Sequence, residues 1–222
     1  MPQPSPATAV KTRWTALATA LHLPAALTSS AWTELEQAYT EPHRSYHTLT
    51  HIDAVLRSLD AHRAAFADAE MAELALFYHD LVYDPARQDN ESQSALRLSA
   101  RLSAHVDETR LRRACAHIEA TRRHDATEDP DTNLVLDLDM SILGAPWPAY
   151  LAYAQGVYAE YAPVYGAEAY AMGRVKLFLE PTLAREKIFL TAPFAALEAP
   201  GRANLAREQA LWQNGTFQAT IR

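Results

Sequence analysis

Apolar residues recur at intervals of three and four along most of this chain. The repeat is clear in the segments 32–39, 51–66, 69–80, 91–106 and 108–124. Alanine, leucine, arginine and glutamate fill these segments, and all four residue types favour helix. A half-buried strand would instead alternate at every second residue, and no segment shows that alternation clearly. We therefore predict an all-α fold.

Proline, glycine and polar turn residues interrupt the helical pattern at four places. The interruptions lie at Pro42, 83–90, 127–133 and 144–148;. The stretch TSSAWTELE (28–36) places serine ahead of acidic residues, which predicts a helix start there;. Because no internal repeat, low-complexity segment or long linker follows, we predict one domain over residues 1–222;.

The composition limits the classes of partner. The 222 residues carry a formal charge of −7 with nine histidines counted as neutral. This balance argues against a protein that binds nucleic acid or anionic lipid mainly by charge. A phosphorylated substrate would therefore need a local metal ion or arginine cluster to offset the repulsion. Cys115 is the single cysteine, so no intrachain disulfide can form, which is compatible with a reducing cytoplasm;.

The remaining sequence features indicate a cytoplasmic protein. The first residues, MPQPSPATAVKTRW, have prolines where a signal peptide would have a basic start and an apolar core;. No apolar run approaches the length of a membrane span, so we expect no membrane partner. Tyrosines recur at helical spacing between 150 and 170, and we expect a helix hairpin with aromatic packing rather than a stacking platform for nucleic acid;. The oligomeric state is left open.

Histidines and aspartates recur in the apolar helical segments or next to them. They are His47, His51, His79, Asp80, Asp137 and Asp139. A lone His–Asp pair is more often structural than metal-binding. An ordered set is harder to explain in that way, because burying unpaired carboxylates is expensive and coordination removes that expense. A shell of imidazoles and carboxylates suits manganese, iron, cobalt, nickel or zinc, with magnesium also possible. Water on such an ion becomes a nucleophile near neutral pH.

Five motifs in the chain together resemble the HD superfamily of metal-dependent phosphohydrolases. They are YHTLTHI (46–52), FYHDLVYD (77–84), DNESQSA (89–95), LDLDMSILG (136–144) and GRANLAREQAL (201–211). The set looks most like a bacterial group of predicted HD phosphohydrolases. The resemblance covers roughly residues 30–212. It implies an HD-domain helical bundle with its core at about 30–212 and with one or two metal ions in its centre.

The resemblance also implies a ligand set. Carried over residue by residue, it makes His51, His79, Asp80 and Asp139 the metal ligands. Asp139 is preferred to Asp137 because DMS resembles the D-L-S segment that follows the last ligand in cyclic-nucleotide phosphodiesterases, which share the broad fold. Asp137 could instead orient a ligand histidine.

Candidate catalytic residues follow from the same likeness. In the phosphodiesterases the first histidine of the pair acts on the leaving group, which makes His47 the candidate general acid. Packing at the start of a helix is an equal alternative for it. Related enzymes use an acid after the HD pair to handle the attacking water, and Glu91 is the first candidate, followed by Asp84. Asp89 competes for this role, but it or Asn90 could simply cap the next helix.

Substrate binding needs positive charge, which bidentate arginine supplies best. Arg44 lies closest in sequence to the predicted metal face and is the candidate phosphate contact. His117 and His124 are seven residues apart, a spacing that returns to one face of a helix;. They could hold a second metal ion or lie at a solvated helix end, and His124 could instead contact phosphate.

These hypotheses combine into one predicted function. We expect a metal-dependent phosphohydrolase that acts on a small phosphate ester or anhydride, with nucleotides as the leading substrate class. We expect one divalent transition-metal ion, with two possible. One alternative is a regulatory HD module that binds a nucleotide without turnover. Another is a di-iron oxygenase, which would require additional ligands such as His117 and His124.

Overall fold

The computed structural model describes residues 4–221, and every regular element in that range is helical. The first six helices are α1 (Pro6–Ala20), α2 (Ala25–Ala38), α3 (Leu49–His62), α4 (Ala69–Tyr78), α5 (Asn90–Leu102) and α6 (Glu108–Ala120). The remaining helices are α7 (Pro130–Met140), α8 (Trp147–Tyr165), α9 (Ala167–Gly173), α10 (Glu180–Ala184) and α11 (Glu198–Gln213), with a π-helical segment at Arg174–Leu179. The all-α prediction is confirmed.

Contacts within the chain divide it into two compact units. The division falls between Leu138 and Asp139, inside α7. We call the part through Leu138 the N-terminal unit and the part from Asp139 the C-terminal unit. Helix α7 is continuous across the division, so its last turn carries Asp139. The single domain expected over residues 1–222 stays a prediction.

The core of the N-terminal unit is built around α4. Every residue from Met71 to Tyr78 in this helix is buried, as expected for a helix that is largely apolar on all sides;. Trp14 of α1 packs edge-on against Phe77, with 5.3 Å between ring centroids, and its indole donates to the carbonyl of Thr28. The hydrophobic core of this unit therefore includes α1, and the HD-domain core at about 30–212 stays a prediction.

Helix α2 begins earlier than predicted. It starts at Ala25 directly after Pro24, before the serines that the sequence offered as a cap. The hydroxyl of Ser30 donates back to the carbonyl of Leu27, so Ser30 lies in the body of the helix. Serine makes this backward bond inside helices as well as caps at their starts, which is why the signal was ambiguous.

The C-terminal unit opens with the expected aromatic hairpin. Helix α8 ends at Gly166, whose φ of 83° suits glycine, and α9 follows at once;. The ring of Tyr170 on α9 lies 5.3 Å from that of Tyr158 and 6.1 Å from that of Tyr161 on α8. These tyrosines pack against one another, as the spacing predicted. No helix within residues 4–221 is both long enough and apolar enough to cross a membrane.

Candidate metal centre

His51 is presented by the first turn of α3. The preceding Thr48 caps this helix, its hydroxyl accepting from the backbone N–H of Thr50;. His51 is 4 % exposed, and its Nε2 lies 3.2 Å from Nε2 of His79. The start of α3 thus aims one imidazole at the end of α4.

His79 follows the last residue of α4 and is held in one orientation. Its Nδ1 lies 2.9 Å from the carbonyl oxygen of Leu76, and a carbonyl can only accept, so Nδ1 carries the proton. In the neutral ring Nε2 then carries no proton and offers its lone pair. That nitrogen lies 2.9 Å from Oδ2 of Asp80 and faces His51. Fixing a histidine tautomer through its other nitrogen is what metal sites use to orient a ligand.

Asp139 in the last turn of α7 completes a three-residue group. One side-chain ligand atom from each of His51, His79 and Asp139 lies within 4.8 Å of the others. Asp80 adjoins this group, with Oδ2 3.8 Å from Nε2 of His51. Asp137, the alternative ligand, is 1 % exposed and does not belong to the group. The four residues that the resemblance implied as ligands therefore lie together.

The chemistry of these donors fits a divalent transition metal. A bare imidazole nitrogen beside a carboxylate oxygen and a second imidazole needs a proton or a cation between them. Bonds of about 2.0–2.2 Å from one ion place neighbouring ligand atoms roughly 3 Å apart, close to the observed spacing of the two nitrogens. Two imidazoles and two carboxylates suit a first-row transition metal better than calcium. The group could hold a metal ion.

Arg44 is buried beneath this centre, with its side chain 0 % exposed. Its guanidinium donates to four protein oxygens, namely Glu41 Oε2 (3.0 Å) and the carbonyls of His47 (3.3 Å), Asp80 (2.7 Å) and Leu81 (3.0 Å). These bonds tie the segment before α3 to the segment after α4. The predicted phosphate contact is therefore occupied by the protein itself, and the placement favours a positioning role.

His47 lies beside the centre but outside the helix. It precedes the capping Thr48, so it lies outside α3 and does not share a helical face with His51, four residues later. Its ring is nevertheless 5.9 Å from that of His51 and 4.3 Å from that of Tyr83. The ring of Tyr46 lies 5.0 Å from both histidines. Tyr46, His47 and Tyr83 thus form an aromatic wall next to the metal ligands, with His47 partly exposed.

Glu91 stands in the first turn of α5 and is half-buried. Burial raises the pKa of its carboxyl, and the negative charge of Asp80 adds to the increase, while Arg122 and His124 oppose it. The charge of Asp80, one of the residues of the centre, therefore acts on Glu91. A carboxyl with a raised pKa is a better proton acceptor near neutral pH than an ordinary one.

Asp84 has a turn-forming role in the structure. It is exposed, and its Oδ1 accepts from the backbone N–H of Ala86 at 2.9 Å. Asn90 clamps the same turn by accepting from the Asp84 N–H and donating to the Asp84 carbonyl. Asp89 pairs with Arg87 and makes no cap bond to α5. The catalytic role of Asp84 stays a prediction that its placement does not favour.

His117 and His124 lie in different surroundings. His117 is 0 % exposed, and its Nδ1 is 2.7 Å from Oγ1 of Thr132 in the first turn of α7. Asp139 is seven residues further along that helix, about 10 Å along its axis. His124 follows α6 and is partly exposed. Neither belongs to the three-residue group found among residues 4–221, so the geometry does not favour a second metal ion held by this pair.

Comparison of the chain with protein-family models, with curated proteins and with solved structures finds no match. The likeness to HD phosphohydrolases therefore rests on the motifs and stays a prediction. What the structure adds is a group of two buried histidines and a partly exposed aspartate that could hold a metal ion.

Sequence reasoning missed two features of the site. The carbonyl of Leu76, which orients His79, had a detectable signal, because histidines at helix ends often bond the last free carbonyls;. Arg122, whose charge lowers the pKa of Glu91, had no such signal, since it stands in a run of charged residues that resembles an ordinary exposed helix end.

Proposed function

We propose that this protein is a metal-dependent phosphohydrolase acting on a small phosphate ester or anhydride, with nucleotides as the leading substrate class. The observation that supports it most is the orientation of His79, whose Nε2 lone pair meets His51 and a carboxylate in a buried setting. The order of the motifs along the chain resembles that of HD hydrolases and supports the same proposal. A divalent ion held there would supply a nucleophilic hydroxide and offset phosphate charge.

Each neighbouring residue has a role in this proposal. His51, His79, Asp80 and Asp139 hold the ion. His47, partly exposed beside His51, donates a proton to the departing alkoxide, a step that general acids typically accelerate by 10²–10⁴-fold;. In this step the P–O bond to the leaving group breaks as a P–O bond to the water oxygen forms. The leaving oxygen takes the proton of His47.

Glu91 and Arg44 support the same reaction in different ways. Glu91, with its raised pKa, accepts the proton that the attacking water gives up. Arg44 acts as a positioning residue, because it fixes the backbone on both sides of the site through the carbonyls of His47 and Asp80. No oxygen of the substrate needs to reach its buried guanidinium.

The test is a phosphate-release assay on nucleotides and simple phosphate esters, with manganese, iron, cobalt, nickel, zinc or magnesium added. We expect release by the wild type and a loss of about 10²-fold or more in kcat for His47→Gln. His43→Gln is the control, since His43 is an exposed histidine in the same segment. Nucleotide binding without release would favour the regulatory module. About two iron ions with oxygen consumption would favour the oxygenase, and either result would overturn the proposal.

A further inference from the structure

The loop that follows α6 is connected to the segment after the HD pair through the first turn of α5. Asn90 of α5 is bonded to the backbone of Asp84, in the segment that continues from the HD pair. Two residues later, the Ser92 hydroxyl donates to Oε2 of Glu119 in the last turn of α6 at 2.9 Å. Glu91 stands between these two connections. The first turn of α5 therefore bridges the metal centre and the end of α6.

Arg122 and His124 follow Glu119 by three and five residues, so the bond between Ser92 and Glu119 brings their loop beside the first turn of α5. Both lower the pKa of the Glu91 carboxyl, which Asp80 raises. Arg122 is exposed. Within residues 4–221, no hydrogen bond or ion pair engages its guanidinium. Arg44 is the opposite case, with four oxygens around it. Positive charge available to a ligand near the site thus comes from the loop.

The backbone of the loop is held in a conformation that favours glycine. His124 has φ of 52° and donates its backbone N–H to the carbonyl of Ala120, as the residue after a helix commonly does when it is glycine;. A histidine there carries a cost in backbone energy, and such strain is concentrated at functional sites. His22, after α1, is the one other residue in 4–221 that is not glycine and has positive φ.

We infer that Arg122 and His124 form a subsite for the terminal phosphate of a phosphomonoester, an assignment that rests on the proposed function. Arginine binds phosphate best through two oxygens at once. A metal ion takes at least one more. Only a terminal phosphate has three non-bridging oxygens, whereas a diester has two. The subsite therefore favours monoesters, or the end phosphate of an anhydride, over cyclic or linear diesters.

The experiment measures the binding of inorganic phosphate by calorimetry, with and without bound manganese. We expect Arg122→Ala and His124→Gly each to weaken phosphate binding, by about tenfold for the arginine. Dimethyl phosphate, a diester, should bind more weakly than inorganic phosphate to the wild type. Equal affinity of the wild type for dimethyl phosphate and inorganic phosphate would overturn the monoester assignment.

Matched controls separate binding from folding. Arg112→Ala removes the same charge from an exposed residue ten positions earlier, where Arg112 pairs with Glu108. His22→Gly places glycine at the equivalent backbone conformation after α1. Both glycine variants should melt at the wild-type temperature or above, since glycine relieves the positive φ, but only His124→Gly should lose phosphate affinity.

The outcomes distinguish this inference from the proposed function. Equal phosphate affinity in Arg122→Ala and Arg112→Ala would overturn the inference, whatever the metal result. Absence of manganese binding would overturn the proposed function and the monoester assignment with it. The loop would then remain a phosphate site only if Arg122→Ala still binds phosphate less tightly than its control in metal-free protein.

Discussion

His117 is a neutral residue whose surroundings resist its protonation. Its ring is enclosed, Nδ1 bonds to Thr132, and Nε2 has no hydrogen-bond partner within residues 4–221. Burial lowers its pKa to about 4, although the nearby carboxylate of Asp129 opposes the change. A protonated imidazole here would place a charge where no water can solvate it. This histidine is therefore part of the core of the N-terminal unit.

The lowered pKa predicts acid sensitivity. An unfolded histidine titrates near pH 6.5, so between pH 6.5 and about 4 the unfolded chain binds a proton that folded His117 does not. Its contribution to stability is present above pH 6.5 and is lost as the pH falls towards 4, by at most about 3 kcal/mol. Urea unfolding of the wild type and His117→Gln across this range should show a shallower loss in the variant. Identical slopes would contradict this.

Arg44 shows what sequence alone could and could not reveal about the site. The types and order of His51, His79, Asp80 and Asp139 pointed to a metal centre, because such a set is costly to bury without one. The direction of the Arg44 side chain depends on carbonyls that only the folded backbone brings near. Its neighbours in sequence made it a candidate phosphate contact, and the folded chain placed it beneath the centre instead.

Close packing of backbone holds α11 against the turn at 141–144 in the C-terminal unit. The side-chain amide of Asn204 donates to the carbonyls of Leu143 and Ala145, both at 2.8 Å. A Cβ on Gly144 would lie 2.6 Å from Cβ of Leu197, directly before α11. Glycine is needed at this position for space rather than for its conformational freedom.

The space around Gly144 and around Gly173 predicts opposite effects of alanine at these two positions. Gly144→Ala should lower the free energy of unfolding by about 1–3 kcal/mol, because backbone must shift to make room. Gly173→Ala should raise it by up to about 1 kcal/mol, since alanine favours helix and the nearest neighbouring atom is 4.0 Å from the new Cβ;. Thermal melts of both variants would check this. A Gly144→Ala protein as stable as the wild type would show that α11 can move freely.

A buried ion pair links three elements of the C-terminal unit. Glu208 of α11 is 0 % exposed and accepts from Arg174, from the hydroxyl of Tyr150 and from the indole of Trp212. Arg174 stands in the π-helical segment, against the ring of Phe178 at 4.1 Å. Arg174 lowers the pKa of Glu208 against the effect of burial. The pair is therefore ionised within an enclosed aromatic setting.

Removing one partner should cost more than removing both. Glu208→Gln leaves the Arg174 charge buried without a counter-ion and should destabilise the fold by about 3–5 kcal/mol. The double variant with Arg174→Met should recover part of that loss. Chemical unfolding of the single and double variants gives the coupling energy, and a simply additive result would contradict the account of a buried ion pair.

Helices were predictable where apolar spacing was regular, and less so at their ends. The periodicity of 91–106 and 108–124 corresponds to α5 and α6, because each buries one face. Helix α1 was not among the predicted segments, because prolines dominate its start. Ser5 nevertheless caps it, and Pro6 occupies its first position, where proline is favourable;. The π-helical segment could not be predicted from local sequence, because it occurs where Arg174 packs against residues distant in the chain.

At the scale of the whole molecule, the negative net charge opposes the binding of a phosphorylated substrate. The chain carries a formal charge of −7, and the proposed substrate is an anion. Most arginines of the N-terminal unit are paired with carboxylates, as in Arg110 with Asp68 and Arg113 with Asp129. Attraction for phosphate must therefore be local, from a bound ion and the loop after α6. All of this depends on the metal centre.

Metal content of the protein, purified without chelator and titrated with manganese or zinc, tests that centre most directly. We expect about one equivalent in the wild type, its loss in His79→Ala, and its retention in His62→Ala, a histidine near the end of α3 whose Nδ1 bonds to the Ser58 carbonyl. Because Nε2 of His79 is the lone pair that the fold holds in place, its removal should abolish binding. Equal metal content in all three proteins, or none in the wild type after supplementation, would contradict the account.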